Sequence, residues 1–174
     1  VNWFAGILNG TTNFILSKMS ENQSSFKDAL KEAQDLGLAE ADPTMDVDGT
    51  DAAQKASILS ALAFNTLYDF NSVSYEGIEN VSPEDIVYAE QLEYSVKHIA
   101  YGSIADGEVN VSAFPTFVPK GQLLSQVGQQ MNALEIFCEE IGSTVYYGPG
   151  AGPKPTASAV IADLVDLSNG GWPI

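Results

Sequence analysis

Arginine is absent from this sequence. All seven basic residues are lysines, they stand against 23 aspartates and glutamates, and the 174 residues carry a formal charge of −16. Such a surface repels the phosphates of nucleic acids and anionic lipid headgroups, and it lacks the bidentate fork that phosphate-binding sites commonly use. We therefore expect neither a nucleic-acid partner nor a membrane partner.

Cysteine, histidine and long apolar runs are equally scarce. Cys138 is the only cysteine and His98 the only histidine, so the sequence predicts neither an internal disulfide nor a metal site. A lone cysteine is typical of a reducing compartment, and we expect the cytoplasm. No apolar run reaches the roughly 18 residues of a membrane-spanning helix. Val1 is not preceded by a methionine or followed by a signal-peptide pattern, so we expect a piece of a longer protein, or a processed one.

The composition that remains is globular, with 45% apolar and 17% charged residues. Helical and strand patterns alternate along the chain without a repeat, and two strands flanking Asp106-Gly107 form a predicted hairpin. This order predicts one α+β domain over residues 1–174: a mixed, largely antiparallel sheet with helices on one face. We expect the other face to be buried in a homodimer.

Periodicity and capping signals place the individual elements. Predicted helices cover residues 11 or 12 to 19, 26–36, 51–64, a segment from 83, 122–130, and a segment from 156. Predicted strands cover residues 3–8, 73–78, 95–104, 108–118, 133–138 and 143–147. The segment 38–50 is expected to be an acidic loop, and residues 167–174 to be disordered.

The acidic loop is the first candidate site. Five carboxylates fall within 12 residues, namely Glu40, Asp42, Asp46, Asp48 and Asp51. Lys55 follows four residues after Asp51, so both side chains lie on one helix face within ion-pair reach. Partial burial would lower the pKa of such a lysine and a neighbouring carboxylate would raise it, leaving an amine suited to exchange protons with a hydroxyl or carbonyl oxygen. The other carboxylates can bind a substrate ammonium group.

Two alternatives compete for these residues. Asp51 and Lys55 can form an ordinary exposed salt bridge, worth about 0.3–0.5 kcal/mol. Calcium is the second alternative, because Gly49 can be aligned with the turn glycine of an EF-hand loop. That alignment puts Thr44 at the first ligand position and Lys55 at the last, where a glutamate is required, so the calcium hypothesis fails.

Two glycine-rich turns are the remaining candidates. Gly10 and Thr11 join a predicted strand to a helix, where free backbone N–H groups can receive a carboxylate. The turn 148–152 precedes the last predicted helix and can approach a phosphate or a nicotinamide closely. It is not the G-x-G-x-x-G fingerprint of a dinucleotide site. The first of these turns is also explained as an ordinary turn followed by a capping threonine, Thr11 or Thr12.

Taken together, these segments resemble the homoserine dehydrogenase family. The matching stretches are residues 6–16, 29–55, 77–78, 84–86, 115–119, 147–152 and 155–160. They occur in the family's order over nearly the whole chain, and the block 40–55 is the most specific of them. The chain resembles the family's substrate-binding and dimerisation domain.

The resemblance implies a reaction, the NAD(P)-dependent interconversion of L-homoserine and L-aspartate 4-semialdehyde on the route to threonine and methionine. It implies that Lys55 is the acid/base group and protonates the aldehyde oxygen as hydride arrives. It also implies that Asp51 binds the substrate and positions Lys55.

The resemblance further implies the residues that bind ligands. Glu40 would hold the amino group of the amino-acid substrate, and Asp46 would support the same pocket. Gly10 and Thr11 would line the substrate side, and Gly152 would approach the nicotinamide end of the cofactor. No residue is implied as a metal ligand within this chain.

The family's Rossmann domain normally precedes the position of Val1 and binds most of the NAD(P). We therefore expect the isolated chain to be inactive as a dehydrogenase. The alternative is a stand-alone dimeric module that binds an amino acid or a partner without redox activity.

Overall fold

The computed structural model describes residues 1–171, which form an α+β domain, as predicted. The strands are β1 (Trp3–Ile7), β2 (Ser74–Tyr75), β3 (Tyr94–Ala105), β4 (Glu108–Pro119), β5 (Met131–Cys138) and β6 (Gly142–Pro149). The helices are α1 (Gly10–Asn22), α2 (Phe26–Asp35), α3 (Thr44–Val47), α4 (Thr50–Phe64), α5 (Pro83–Gln91) and α6 (Pro153–Ser168). Two 3₁₀ turns, Phe70–Ser72 and Leu123–Gln126, complete the described elements.

The strands form one mixed sheet in the order β2-β4-β3-β1-β5-β6. Only the short β2 is parallel to its neighbour, and every other pair is antiparallel. The predicted hairpin is confirmed: β3 and β4 pair continuously from Ala105 opposite Glu108 to Tyr94 opposite Pro119. The short β1 lies between β3 and β5 at the centre of the sheet. The residues that follow β1 therefore lie close to the middle of the domain.

Helix α4 packs closely on one face of the sheet because its fully buried residues are all alanine or serine. Ala52, Ala53 and Ala56 are buried in one cluster with Ala100 and Ala113 of the hairpin. With alanine on both sides, the helix backbone approaches the strands, and the first turn of α4 lies beside the end of β1. This packing carries Asp51 and Lys55 to the residues that follow β1.

The opposite face of the sheet is covered only in part. Leu124 and Val127, in and next to the second 3₁₀ turn, close one end of it. Further along, Trp3 stacks between Tyr101 and Phe137, with ring centroids 6.4 and 5.4 Å apart. Tyr101 is still 38% exposed, so this aromatic row is not buried by its own chain.

Helix α5 begins at Pro83, as predicted, and a capping box holds its first turn. The Ser82 hydroxyl accepts from the Asp85 backbone N–H, and the Asp85 carboxylate accepts from the Ser82 backbone N–H. These contacts from the Ser82 N–H and hydroxyl hold the pKa of the Asp85 carboxyl below its usual value. Because α5 packs against α1 and β3, its fixed start helps to hold α1 in place.

Three element predictions are wrong or need revision. Within residues 122–130 only Leu123–Gln126 form a 3₁₀ turn. A longer helix does not form, because Gln129 has φ +55° and the Val127 carbonyl accepts from Lys97 instead of from a helix backbone. The strand expected over 73–78 shrinks to Ser74–Tyr75. The acidic loop contains one helical turn, Thr44–Val47.

The two ends of the chain also differ from expectation. Asn9, not Thr11 or Thr12, caps α1. Of the segment expected to be disordered, residues 167 and 168 belong to α6, and residues 172–174 lie outside the described residues. No side chain of α6 is buried. Even its apolar residues Val160, Ile161 and Leu164 are each more than half exposed. Across residues 1–171, no helix is long and apolar enough to cross a membrane.

Candidate functional site

Asn9 is the centre of the candidate site. It follows β1, is 5% exposed, and caps α1 by accepting the Thr12 backbone N–H through Oδ1 at 2.8 Å. The cap fixes the carboxamide, so its Nδ2 points away from the helix and donates to Asp46 Oδ1 at 2.7 Å and Asp51 Oδ2 at 2.9 Å. One buried amide therefore joins the first turn of α1 to two carboxylates of the acidic segment.

Lys55 completes this cluster from the second turn of α4. Its Nζ donates to Asp51 Oδ2 at 2.7 Å and to the Leu8 carbonyl oxygen at 3.1 Å. An ammonium has three donors, so one remains for a ligand. The Lys55 side chain is 46% exposed, which is more solvent than a fully desolvated lysine would see. The alternative of an exposed salt bridge accounts for the contact between Lys55 and Asp51. It does not account for the contact of Lys55 with the Leu8 carbonyl or for that of Asp51 with Asn9.

The first residues of α1 form another side of the site. The Gly10 and Thr11 N–H groups are the first two of the helix and have no acceptor within it. The Thr11 hydroxyl donates to the Leu38 carbonyl oxygen at 3.0 Å, which ties the start of α1 to the loop after α2. A Cβ at Gly10 would lie 2.7 Å from the Gln130 carbonyl oxygen, so only glycine permits this close approach.

These groups surround a cavity of about 390 Å³. Its lining includes six of the seven predicted site residues, namely Gly10, Thr11, Asp46, Asp51, Lys55 and Gly152. Side chains and turns from α1, α3, α4, β5 and the turn before α6 therefore meet at one place, although they lie far apart in the sequence. Two carboxylates and one ammonium leave the polar side with a net negative charge, which favours a ligand that carries an ammonium group.

Glu40 is the predicted residue that the structure does not bring into this lining. Its side chain is exposed, and its backbone oxygen accepts from Gln34 Nε2 at 3.1 Å. It follows Leu38, which does line the cavity, by two residues. Contact between the Glu40 carboxylate and a substrate stays a prediction from the family resemblance.

The turn 148–152 forms the wall nearest to α6. A Cβ at Gly148 would meet nothing within 4 Å, and one at Gly152 would meet only Pro155 at 3.8 Å, so a flat group can approach both glycines. The start of α6 is a poor phosphate site, because Pro153 and Pro155 occupy two of its first three positions and have no N–H. These residues fit the nicotinamide end of a dinucleotide better than its phosphates.

Sequence reasoning missed three residues that shape the cavity: Asn9, Gln130 and Asn132. Asn132 packs beside the glycine turn, where a Cβ at Gly150 would lie 2.5 Å from its Nδ2. The preference of asparagine for helix N-caps was a signal for Asn9, but the sequence carried none for the other two. Within residues 1–171, no group of three His, Cys, Asp or Glu side chains is placed to hold a metal ion.

The fold and the cavity define an α+β domain in which an amine, two carboxylates and the start of a helix surround one polar cavity. Comparison with known families adds a match of residues 1–165 to the family model described as homoserine dehydrogenase. The chain belongs to the homoserine dehydrogenase family, whose members are oxidoreductases that use NAD(P).

Relatives and solved structures agree with this assignment. The chain is 48% identical to the homoserine dehydrogenase of Neisseria gonorrhoeae over 94% of its length, and 47% identical to that of Pseudomonas aeruginosa over 96%. The crystal structure of S. aureus homoserine dehydrogenase at pH 7.5 superposes with a TM-score of 0.92, at 46% identity, over 97% of this chain and 42% of that one. The chain spans 38% of the length of both curated relatives.

Proposed function

We propose that this chain is the substrate-binding and catalytic part of a longer dehydrogenase that interconverts L-homoserine and L-aspartate 4-semialdehyde with NAD(P)(H), in threonine and methionine biosynthesis. The observation that carries the proposal is the placement of the Lys55 ammonium at the cavity, held by Asp51 and the Leu8 carbonyl. The lone, half-buried Cys138 supports the cytoplasm as the compartment.

Lys55 would act as the acid/base group. Its third N–H would donate to the substrate oxygen, give its proton to that oxygen when the aldehyde is reduced, and recover a proton from the hydroxyl in the reverse direction. Asp51 accepts from the Lys55 ammonium and fixes its position, and Asn9 in turn fixes Asp51. This chain of contacts holds the reacting nitrogen without requiring it to be buried.

The remaining polar groups would orient an α-amino acid. Asp46 and Asp51 would attract its ammonium group, with Glu40 approaching from the exposed loop. The N–H groups of Gly10 and Thr11 would receive its carboxylate at the positive end of α1. A zwitterion would thus be bound through both charges, leaving its side-chain oxygen for Lys55.

NAD(P)(H) would supply or accept the hydride when bound, and Gly152 with its turn would contact the nicotinamide end. Most of the cofactor would be bound by another domain. The apolar residues of α6 support this, because a helix with no buried side chain needs a surface outside this chain to cover Val160, Ile161 and Leu164.

The experiment that tests the function compares the isolated chain with the full-length dehydrogenase. We expect NADPH oxidation with aspartate semialdehyde from the full-length protein and a negligible rate from the chain alone, because the chain lacks most cofactor contacts. We expect L-homoserine to shift the amide resonances of Gly10 and Thr11 in the chain. A measurable rate from the chain would contradict the expected inactivity. Binding without turnover by the full-length protein would favour the alternative of a binding module.

We also infer that the chain forms a homodimer through the open face of the sheet. Trp3, Tyr101 and Phe137 form a continuous aromatic row there, and Phe114 on the same face is 37% exposed. Water-exposed aromatic rows of this kind are typical of interfaces. A two-fold partner would stack one such face on the other.

Tyr101→Asp is expected to convert the dimer to a monomer, because it places a charge in the aromatic row. Sedimentation equilibrium measures the change. Tyr88→Asp on α5 is the matched control, since Tyr88 is 61% exposed and lies away from this face. A Tyr101→Asp protein that remains dimeric would show that the interface lies elsewhere.

A further inference from the structure

Residues 127–130 connect the second 3₁₀ turn to β5, and the candidate cavity is lined by one residue of this connection and one residue at the start of β5. These residues are Gln130 and Asn132. The Gln130 carbonyl oxygen is the atom that would lie 2.7 Å from a Cβ at Gly10. This connection has no regular secondary structure, and Gln129 has φ +55°. Its conformation must therefore be set by contacts from other elements.

Three buried side chains supply those contacts. Asn13, on the second turn of α1, donates through Nδ2 to the Val127 carbonyl at 3.2 Å and to the Met131 carbonyl at 3.0 Å. The Ser17 hydroxyl, one turn later, accepts from the Gln129 backbone N–H at 3.0 Å. The Lys97 Nζ, from β3, donates to the same Val127 carbonyl at 2.6 Å. All three side chains are buried.

A buried lysine at position 97 reduces the folding stability of the domain. It is 6% exposed, and among the described residues no carboxylate lies within 4.0 Å of its Nζ. Burial lowers the pKa of Lys97 to about 8, although the charge of Glu21 opposes the shift. A buried ammonium without a paired carboxylate costs folding free energy, and an apolar side chain at this position would avoid that cost.

Lys97 does not touch the candidate active site. It lines a separate cavity of about 180 Å³, together with Ser17, Glu21, Ser95 and others. Its influence on the site can pass only through the backbone that it holds. Asn13 also does not line the candidate cavity and can act on it only through the Val127 and Met131 carbonyls that it binds. It lies one helical turn after Asn9, the residue that fixes Asp46 and Asp51.

We propose that Lys97, Asn13 and Ser17 are positioning residues that hold the cavity wall of Gln130 and Asn132 through the backbone of residues 127–131. The proposal rests on the proposed function. Helix α1 would then set both polar sides of the cavity: Asn9 fixes the carboxylates, and Asn13 with Ser17 fixes the opposing connection with the help of Lys97. Displacement of a substrate-positioning wall by about 1 Å is sufficient to cost about 100-fold in rate.

The test is Lys97→Met in the full-length dehydrogenase, which removes the ammonium and keeps the length of the side chain. We expect kcat/KM for homoserine to fall about 10- to 100-fold, with no drop in melting temperature at pH 7. Hydrogen exchange of the peptide 127–132 should become at least about 10-fold faster. Lys97→Arg, which retains a cationic donor, should recover part of the activity.

Two further variants keep the test interpretable. Lys120→Met changes an exposed lysine close to the same turn and should alter neither readout. Ser17→Ala removes only the acceptor for the Gln129 N–H. It should lower kcat/KM and speed hydrogen exchange of the peptide 127–132, both by less than Lys97→Met does. If Lys97→Met is fully active, or if it loses stability while each folded molecule keeps its activity, the positioning role is wrong. If the wild-type protein does not turn over homoserine, the proposed function fails instead.

Discussion

Replacing Lys55 by methionine is expected to lower kcat of the full-length dehydrogenase by roughly 1,000-fold or more, with little change in folding stability. Acid/base groups contribute about 100- to 10,000-fold to rate, and methionine can neither donate nor accept the proton. The lost ion pair with Asp51 is worth only about 0.3–0.5 kcal/mol, because the Lys55 side chain is 46% exposed. Steady-state kinetics and thermal unfolding of the same preparations measure the two effects.

The chain offers a matched control for this variant. Lys31 and Asp35 on α2 form an ion pair with the same four-residue separation and the same 2.7 Å distance, but at an exposed surface away from the cavity. Lys31→Met removes that pair and should leave kcat unchanged. A Lys55→Met enzyme as active as Lys31→Met would show that both contacts are simple surface bridges.

The parts of the fold that could be predicted are those set by local signals. The hairpin of β3 and β4 follows from alternation around Asp106-Gly107, and the start of α5 follows from Ser82 and Asp85. The predicted helix over 122–130 was wrong. The prediction used only the local pattern of apolar and polar residues, whereas the Val127 carbonyl accepts a hydrogen bond from Lys97 of β3, far away in the sequence. A tertiary hydrogen bond to a backbone group overrides weak helix propensity.

The candidate site shows the same division. Lys55 and Asp51 could be predicted because four residues on a helix form a fixed geometry. Asn9 could not be assigned its role, since its partners Asp46 and Asp51 lie 37 and 42 residues away. Locally, Asn9 indicates only a turn or a helix N-cap, and neither predicts contacts with the acidic segment. The packing of α4 on the hairpin through Ala52, Ala53 and Ala56 is what converts that turn into the centre of the site.

The segment after β2 is a second long-range support of the acidic segment, and Gly77 is its critical residue. The Ile78 backbone N–H donates to the Val47 carbonyl at 2.8 Å, immediately after Asp46. A Cβ at Gly77 would lie 2.0 Å from that carbonyl oxygen and 2.5 Å from the Asp48 Cα. Both are backbone atoms, so no side-chain rotation can relieve the contact. The two segments would have to separate.

Gly77→Ala is therefore expected to reduce the free energy of unfolding by about 3 kcal/mol or more, and to displace Asp46 from Asn9. Chemical denaturation measures the first effect. Gly121→Ala is the control, because a Cβ there would meet nothing within 4 Å and Gly121 does not have a positive φ. It should change stability by less than about 0.5 kcal/mol. Equal stabilities for the two variants would mean that the contact between Gly77 and the acidic segment is looser than the structure indicates, and that Asn9 alone holds Asp46.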